Sequence, residues 1–252
     1  MKKYGSFCPI AKAAEILTER WTVLVLRDML QGSGAFTDLR RGVPMMSPTL
    51  LSKRLQTLEA ANLIVREASP GGGHWQYRPT KAAEELQPII EAIGHWGQRW
   101  VRSQLTRDEL DPGSLMWFMH RHFALDRLPA DSMVVYVEIT DVKKLANWWF
   151  LLDRERVELC WGDPCRSVDI SLFADLLTLT QIFMGDLSLA QARALDKLEV
   201  QGSTLLVRSL PDWFPRSKFA DDNPMPNGQS TQRQARGRTV IPSSSTRVQK
   251  LD

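Results

Sequence analysis

Ser47-Pro48-Thr49-Leu50-Leu51-Ser52-Lys53-Arg54-Leu55-Gln56-Thr57-Leu58-Glu59-Ala60 reads as a helix whose two sides suit different neighbours. Ser47 offers an N-cap hydroxyl and Pro48 a pre-set first helical residue, so a new helix starts here. Leu51, Leu55 and Leu58 recur at helical spacing as one apolar stripe, while Thr49, Ser52, Lys53 and Gln56 fall on the opposite face. A helix lying in the major groove of DNA needs this division, with one side packed on its own domain and the other carrying groups that reach base edges and phosphates. Taken alone, the stretch reads equally well as an amphipathic helix with a wet polar face. Its neighbours decide. Before it, Phe36 to Val43 is a short helix candidate with a glycine at Gly42, followed by a turn at Pro44 to Ser47. After it, Leu63 to Ala68 reads as a strand, Ser69 to Gly73 as a turn, and His74 to Pro79 as a returning strand. A hairpin directly after such a helix is a wing.

Further motifs appear in order along the same region. Cys8-Pro9 opens a helix, Arg20-Trp21-Thr22 opens the next with Leu24, Leu26 and Leu30 behind it, and Phe36, Leu39, Arg40 and Arg41 mark a positioning helix. Ser47 to Leu55, Leu58-Glu59, Leu63-Ile64 and Tyr77 to Thr80 complete the series. Together they resemble the HxlR-type branch of the MarR-like winged-helix transcription regulators, over residues 8 to about 102. The resemblance implies a homodimer on double-stranded DNA, with one recognition helix in each of two major-groove half-sites and the wing along the backbone. The DNA contacts expected on it are Thr37, Arg40, Arg41, Ser47, Thr49, Ser52, Lys53, Gln56, His74, Gln76 and Arg78. The wing tip departs from the family pattern in its three glycines, Gly71 to Gly73.

From Thr80 to Leu105 the chain reads as one long helix that Pro88 must bend or divide, with an apolar stripe through Leu86, Ile89, Ile90, Ile93, Trp96, Trp100 and Val101. Such a stripe packs either on a second domain or on its twin. The resemblance favours the twin, with Ile10, Ile89, Ile93, Trp96 and Trp100 as the expected dimer interface.

Charge is distributed in agreement with this. Residues 1–106 hold 14 Lys and Arg against 9 Asp and Glu, residues 107–220 hold 13 against 17, and residues 221–252 hold 5 against 3. The positive excess lies on the segment expected to meet phosphates, whose contacts set affinity and make it salt-dependent. No stretch approaches the ~20 continuous apolar residues of a membrane span, and the N-terminus lacks the apolar core of a signal peptide. Three cysteines in 252 residues do not resemble a secreted disulfide framework. The expectation is a cytoplasmic, nucleoid-associated protein with reduced thiols.

Arg107 to Gly113 marks a boundary, after which a second module reads as α+β. A helix is expected at Ser114 to Phe123. Strands are expected at Ser132 to Thr140, Asn147 to Leu152, Val157 to Trp161, Ser167 to Ile170 and Leu198 to Gln201, with helices at Leu172 to Phe183, Leu189 to Leu195 and Ser203 to Leu210. This layout implies an antiparallel sheet with covering helices. The stretches Gly162 to Ser171, Ala174 to Thr180, Gly185 to Ala190 and Val200 to Gly202 resemble the sterol-carrier-protein type 2 family over residues 112 to 214. That resemblance implies an apolar tunnel for a lipid-like molecule, with Phe118, Trp149, Leu151, Leu176, Leu179, Ile182 and Phe183 as lining candidates, although for most of them plain core is the alternative. The domains expected are therefore 1–106, a winged helix that binds DNA and dimerises; 112–214, a sterol-carrier-like domain; and 221–252, a disordered tail whose composition is poor in apolar residues.

Three other readings stand beside a ligand-controlled regulator. Cys8, just ahead of a helix N-terminus, would serve a thiol switch for oxidants or electrophiles, against a plain reading as a small apolar helix-start residue. The second domain could be a carrier or an enzyme accessory, or it could merely enlarge a dimer interface. No nucleophile elbow, Walker loop or dinucleotide fingerprint is present, and His120 and His122 lack partners at zinc-ligand spacing, so no enzyme activity, cofactor or metal is expected.

Overall fold

Ser47 accepts a hydrogen bond from the Leu50 backbone N–H at 3.3 Å and starts helix α4, Pro48–Ala60, with Pro48 in its first turn. Three shorter helices precede it: α1 (Pro9–Leu17), α2 (Thr22–Leu30) and α3 (Phe36–Gly42). Leu51, Leu55 and Leu58 of α4 pack with Val25, Leu26, Met29, Leu39 and Met46 into a closed apolar core, which the hairpin β1 (Ile64–Ala68) and β2 (Trp75–Pro79) caps through Ile64. This computed structural model describes residues 3–68, 75–101 and 109–222. The expected wing tip with His74, and the arginines at 233, 236, 238 and 247, lie outside the described residues.

The helix expected over residues 80–105 is two helices, α5 (Lys81–Glu84) and α6 (Gln87–Trp100), as Pro88 requires. Proline lacks the N–H of a helix interior and its ring meets the preceding turn, whereas in a first turn neither matters. Thr80 anchors the break: its hydroxyl donates to the Asn62 carbonyl at 2.8 Å and accepts from the Ala83 N–H.

The second module begins with α7 (Pro112–Met119), capped by Asp111, and a single 3-10 turn at Leu125–Arg127. Five strands follow: β3 (Ser132–Ile139), β4 (Asn147–Asp153), β5 (Val157–Cys160), β6 (Ile170–Ala174) and β7 (Leu198–Gly202). Their order in the sheet is β5-β4-β3-β6-β7. The expected all-antiparallel sheet is mixed, because β3 and β6 pair in parallel while the other three ladders are antiparallel. After β5 at the sheet edge the chain crosses back through residues 161–169 and enters beside β3, so β6 runs in the direction of β3.

Helices α8 (Leu176–Met184), α9 (Leu189–Ala194) and α10 (Thr204–Trp213) complete the module. The strand expected to end at Ile170 instead begins there, since Asp175 caps α8 through the Thr178 N–H at 2.9 Å and leaves Leu172 and Ala174 to alternate inward from β6. Alternation also sorts β3 and β4. Val135, Val137, Ile139, Trp148, Phe150 and Leu152 face the core with α7, α8 and α10, where Phe123 meets Phe150 at a centroid distance of 5.0 Å. Tyr136, Trp149 and Phe173 form an aromatic row on the other face, where burial, with help from Glu138, pushes the Tyr136 hydroxyl pKa up to about 12.

The two cores meet through charge. Asp28 of α2 is fully buried, and its carboxylate accepts from Arg27 Nη2 and Arg121 Nη1, both at 2.9 Å. Arg121, just beyond α7, also donates to Gln31 Oε1 at 3.2 Å and to Ser33 Oγ, so one guanidinium ties the second module to the α2–α3 turn. Burial works against its charge and lowers its pKa from the ordinary value, and Asp28 opposes that shift. A second seam lies at α6: Lys218 pairs with Glu91 at 2.7 Å, Phe219 sits over Gly94, and Asp222 holds His95. Asp222 thus falls within the tail expected from residue 221 and is anchored on a helix.

Gly42 ends α3 where any Cβ would overlap the Asp28 carboxylate. Gly42→Ala is therefore expected to destabilise the chain by about 1–3 kcal/mol in denaturant unfolding, the usual cost of overpacking; a loss under about 0.5 kcal/mol, the scatter of neutral substitutions, would contradict this. His120, stacked on Trp117 and hydrogen-bonded to its carbonyl, has its pKa pushed down to about 4 by burial. Its folded pKa lies below the unfolded value, so its contribution is intact above about pH 6.5 and is lost as pH falls towards about 4. Melting temperature should fall over that window and fall less steeply in His120→Gln; equal slopes would assign the loss to other groups.

Candidate nucleic-acid interface and ligand cleft

Thr49, Ser52, Lys53 and Gln56 all lie exposed along the outer face of α4. Lys53 has no acidic partner among the described residues, so its charge is available to a phosphate or a base edge. Arg54, the other cation of the helix, turns inward to Glu19 at 3.3 Å and is 9% exposed. Ser47 is exposed at the helix start, but its oxygen already accepts the capping hydrogen bond. Thr37 and Arg40 are exposed on α3.

Arg41 departs from its expected place among the DNA contacts. Its guanidinium lies 5.3 Å from the Trp117 ring and 5.2 Å from the Trp161 ring, with Asp38 at 3.3 Å. Two aromatic faces of the second module attract it more than an open surface would, so it serves the domain junction. On the hairpin, Arg78 is exposed but paired with Glu67 at 3.1 Å, and Gln76 is half-buried beside a cavity of about 380 Å3 between the α2–α3 turn and β2. Sequence reasoning missed Arg66, whose guanidinium lies 4.2 Å from the half-exposed Trp75 ring and faces outward from the wing. The hairpin register places Arg66 opposite Tyr77 and Trp75 opposite Ala68, a diagonal visible only once the strands are paired. It also missed Asp28, Gly42 and Arg121, since two charges 93 residues apart carry no local signal.

Of the expected interface residues, Ile10 is 79% exposed, and Ile89, Ile93, Trp96 and Trp100 are each at least half exposed. Leu86 and Ile90 instead pack on the N-terminal core, which leaves one side of α6 as an apolar surface beside Phe7 and Ile10 of the α1 region in composition, if not in contact. Cys8 is half-buried at the N-cap of α1, and its backbone N–H donates to Ser6 Oγ at 3.2 Å.

The expected ligand lining does not converge. Leu176, Leu179, Ile182 and Phe183 belong to the filled core, and Trp149 and Leu151 lie on the opposite face of the sheet, where strand alternation sends them. Phe118 lies under the Arg27 guanidinium at 4.8 Å, at the junction. A cleft of about 350 Å3 opens elsewhere, between the end of α8, the start of α9 and the end of α10, with Ile182 as its one member from the expected set. Leu187, Leu189, Pro211 and Phe214 supply apolar walls, and Arg216 supplies a cation. Among the described residues no group of three or more His, Cys, Asp or Glu could hold a metal ion, and no helix is long and apolar enough to cross a membrane.

An exposed polar helix face, a hairpin behind it and a shared apolar core define a winged helix-turn-helix of the kind found in transcriptional regulators, here joined to an α+β module. Residues 16–105 match the HxlR-like helix-turn-helix model, and residues 124–214 match that of the SCP-2 sterol transfer family. The uncharacterized HTH-type transcriptional regulator YvaP of Bacillus subtilis is 32% identical over 99 residues, covering 38% of this chain and 92% of the relative. The uncharacterized HTH-type regulator YtfH of Escherichia coli is 32% identical over 94 residues, covering 37% and 75%. Among solved structures, the reduced form of the transcriptional regulator YodB of B. subtilis aligns at 25% identity over 37% of this chain and 93% of that one, with a TM-score of 0.33. The chain belongs to the HxlR-like helix-turn-helix family.

Lys53→Ala and Gln56→Ala should each weaken specific DNA binding by about 1–3 kcal/mol where they touch bases. Arg41→Ala should leave the salt dependence of binding unchanged, because its charge is spent on Trp117 and Trp161. Affinity that is indifferent to both α4 substitutions, or a shallower salt slope in Arg41→Ala, would move the DNA-binding face.

Proposed function

We propose that the chain is a homodimeric regulator that reads a two-half-site operator with the outer face of α4 and the wing, and whose second domain adjusts DNA affinity in response to a small amphipathic effector. The observation that carries the reading is the unpaired, exposed row Thr49, Ser52, Lys53 and Gln56 on a helix whose other side is closed by the N-terminal core. The apolar side of α6, with Ile89, Ile93, Trp96 and Trp100, supports the dimer, since surfaces of that kind bury against a partner. The dimer sets the two recognition helices about 34–36 Å apart, one helical turn of DNA. The protein is expected in the cytoplasm, on the nucleoid.

The second domain is seated on the reading head itself. Arg121 and Trp117 hold the α2–α3 turn and α3, and residues 218–222 hold α6. An effector that binds the DNA-competent and incompetent arrangements unequally, by ~1–3 kcal/mol, is sufficient for control.

Sequencing of genomic fragments retained by the full chain should return a two-fold symmetric site, and footprinting should protect two half-sites one turn apart. Retention of fragments with no shared site would end the operator reading. Trp96→Glu combined with Ile93→Glu should convert a dimer in sedimentation to a folded monomer and weaken operator binding at least about tenfold, the loss expected when one half-site is read alone. A variant that remains dimeric would place the interface elsewhere.

A further inference from the structure

The cleft at the α8–α9–α10 corner lies apart from the filled space between sheet and helices, and its walls continue into the segment that grips the DNA-binding module. Ile182, Leu187, Leu189, Pro211 and Phe214 form an apolar body, and Arg216 stands at its rim. The other polar side chains of the wall are engaged: Ser188 and Gln191 satisfy each other in the capping box of α9. Arg216 is thus the one charge the cleft offers, and its partner Asp221, at 3.1 Å, is 92% exposed while Arg216 is half exposed. An ion pair between groups so open to water contributes little and exchanges readily.

Downstream of Phe214 and Arg216 the chain forms a strap. The Ser217 N–H donates to the Phe183 carbonyl at 2.7 Å. The strap then passes over Gly185, whose φ of +84° and contact with Ala220 leave no room for a side chain. Lys218, Phe219 and Asp222 engage Glu91, Gly94 and His95 of α6. Asp221 therefore sits between the cleft, through Arg216, and the α6 anchor, through its neighbour Asp222.

We infer that this cleft is the effector site and that it takes a small apolar molecule bearing a carboxylate, which displaces Asp221 from Arg216 and so loosens the strap on α6. The inference rests on the reading of the second domain as a sensor. A volume of about 350 Å3 lies near the lower end of small-molecule sites and fits a medium-chain or single-ring acid better than a polycyclic lipid. The carboxylate gains a charge-assisted, bidentate partner in Arg216. Losing the Arg216–Asp221 link frees the residue next to the His95 anchor, on the same helix that carries Ile89, Ile93 and Trp96. The acid thus acts on the spacing of the two reading heads, and the fixed grip of Arg121 on α2 and α3 keeps the second domain attached throughout.

Octanoate and its neutral counterpart octan-1-ol, titrated calorimetrically into the full chain, test this. Octanoate should bind at least about tenfold more tightly than the alcohol, as expected for one charge-assisted pair. Arg216→Gln should abolish the difference and leave the melting temperature unchanged. Asp221→Asn, which touches no cleft wall, should bind octanoate more tightly than the parent chain because the internal competitor is gone. Bound octanoate should raise hydrogen–deuterium exchange in residues 217–222 and 87–100 and leave the α2–α3 turn protected. Equal binding of acid and alcohol, octanoate binding that survives Arg216→Gln, weaker binding by Asp221→Asn, or saturation without a change in exchange at 87–100 would each overturn the inference. Operator affinity of the ligand-free protein is measured on the same preparation: intact DNA binding with no octanoate binding removes the cleft alone, whereas absent DNA binding removes the regulator reading and leaves the cleft standing.

Discussion

A carboxylate with no exposure to water, Asp28, holds this molecule together at the point where its two cores meet. A buried charge is tolerable only with partners, and Asp28 has two guanidinium partners, one from its own helix and one from the second domain. Removing either would leave the other charges uncompensated in an apolar setting. The junction therefore acts as a single unit, to which Gly42 contributes by absence, Gln31 and Ser33 by acceptor oxygens, and Trp117 by a ring face. Such pairs specify geometry more than they add stability, and the geometry specified here is that of α3 relative to α7.

That placement matters because α3 is the helix that sets the angle of α4. A second domain anchored only on α6 could alter dimer spacing and nothing else. Anchored also on α2, α3 and Arg41, it fixes the orientation of each reading helix, and the seam at α6 then becomes the adjustable one. The two seams differ in chemistry in the way this division needs: the α2–α3 seam is buried and charge-saturated, while the α6 seam is built on exposed pairs such as Lys218–Glu91 and Arg216–Asp221.

Much of the N-terminal half was legible in the chain. Ser47-Pro48, the leucine stripe and Pro88 act through local backbone rules, so helix starts, the buried face of α4 and the break between α5 and α6 followed from them. The second module was legible as alternating strands and helices, but its boundaries shifted wherever one side-chain cap outweighed periodicity, as Asp175 did for α8. The expected ligand lining failed for a different reason. Residues were chosen by apolar character, and neighbours on one strand, such as Trp148 and Trp149, point to opposite faces of the sheet.

The sequence by itself determined that a winged helix-turn-helix stands at one end of this chain and an α+β module at the other, because capping, helical periodicity and strand alternation are short-range and each segment carries its own signal. Tertiary structure alone decided that β6 enters the sheet parallel to β3, that Arg41 turns from DNA to two tryptophans, and that Arg121 meets Asp28. These outcomes depend on which distant surfaces approach one another as the chain closes, and on the cost of burying charge without a partner, and neither quantity is written in any one stretch of residues.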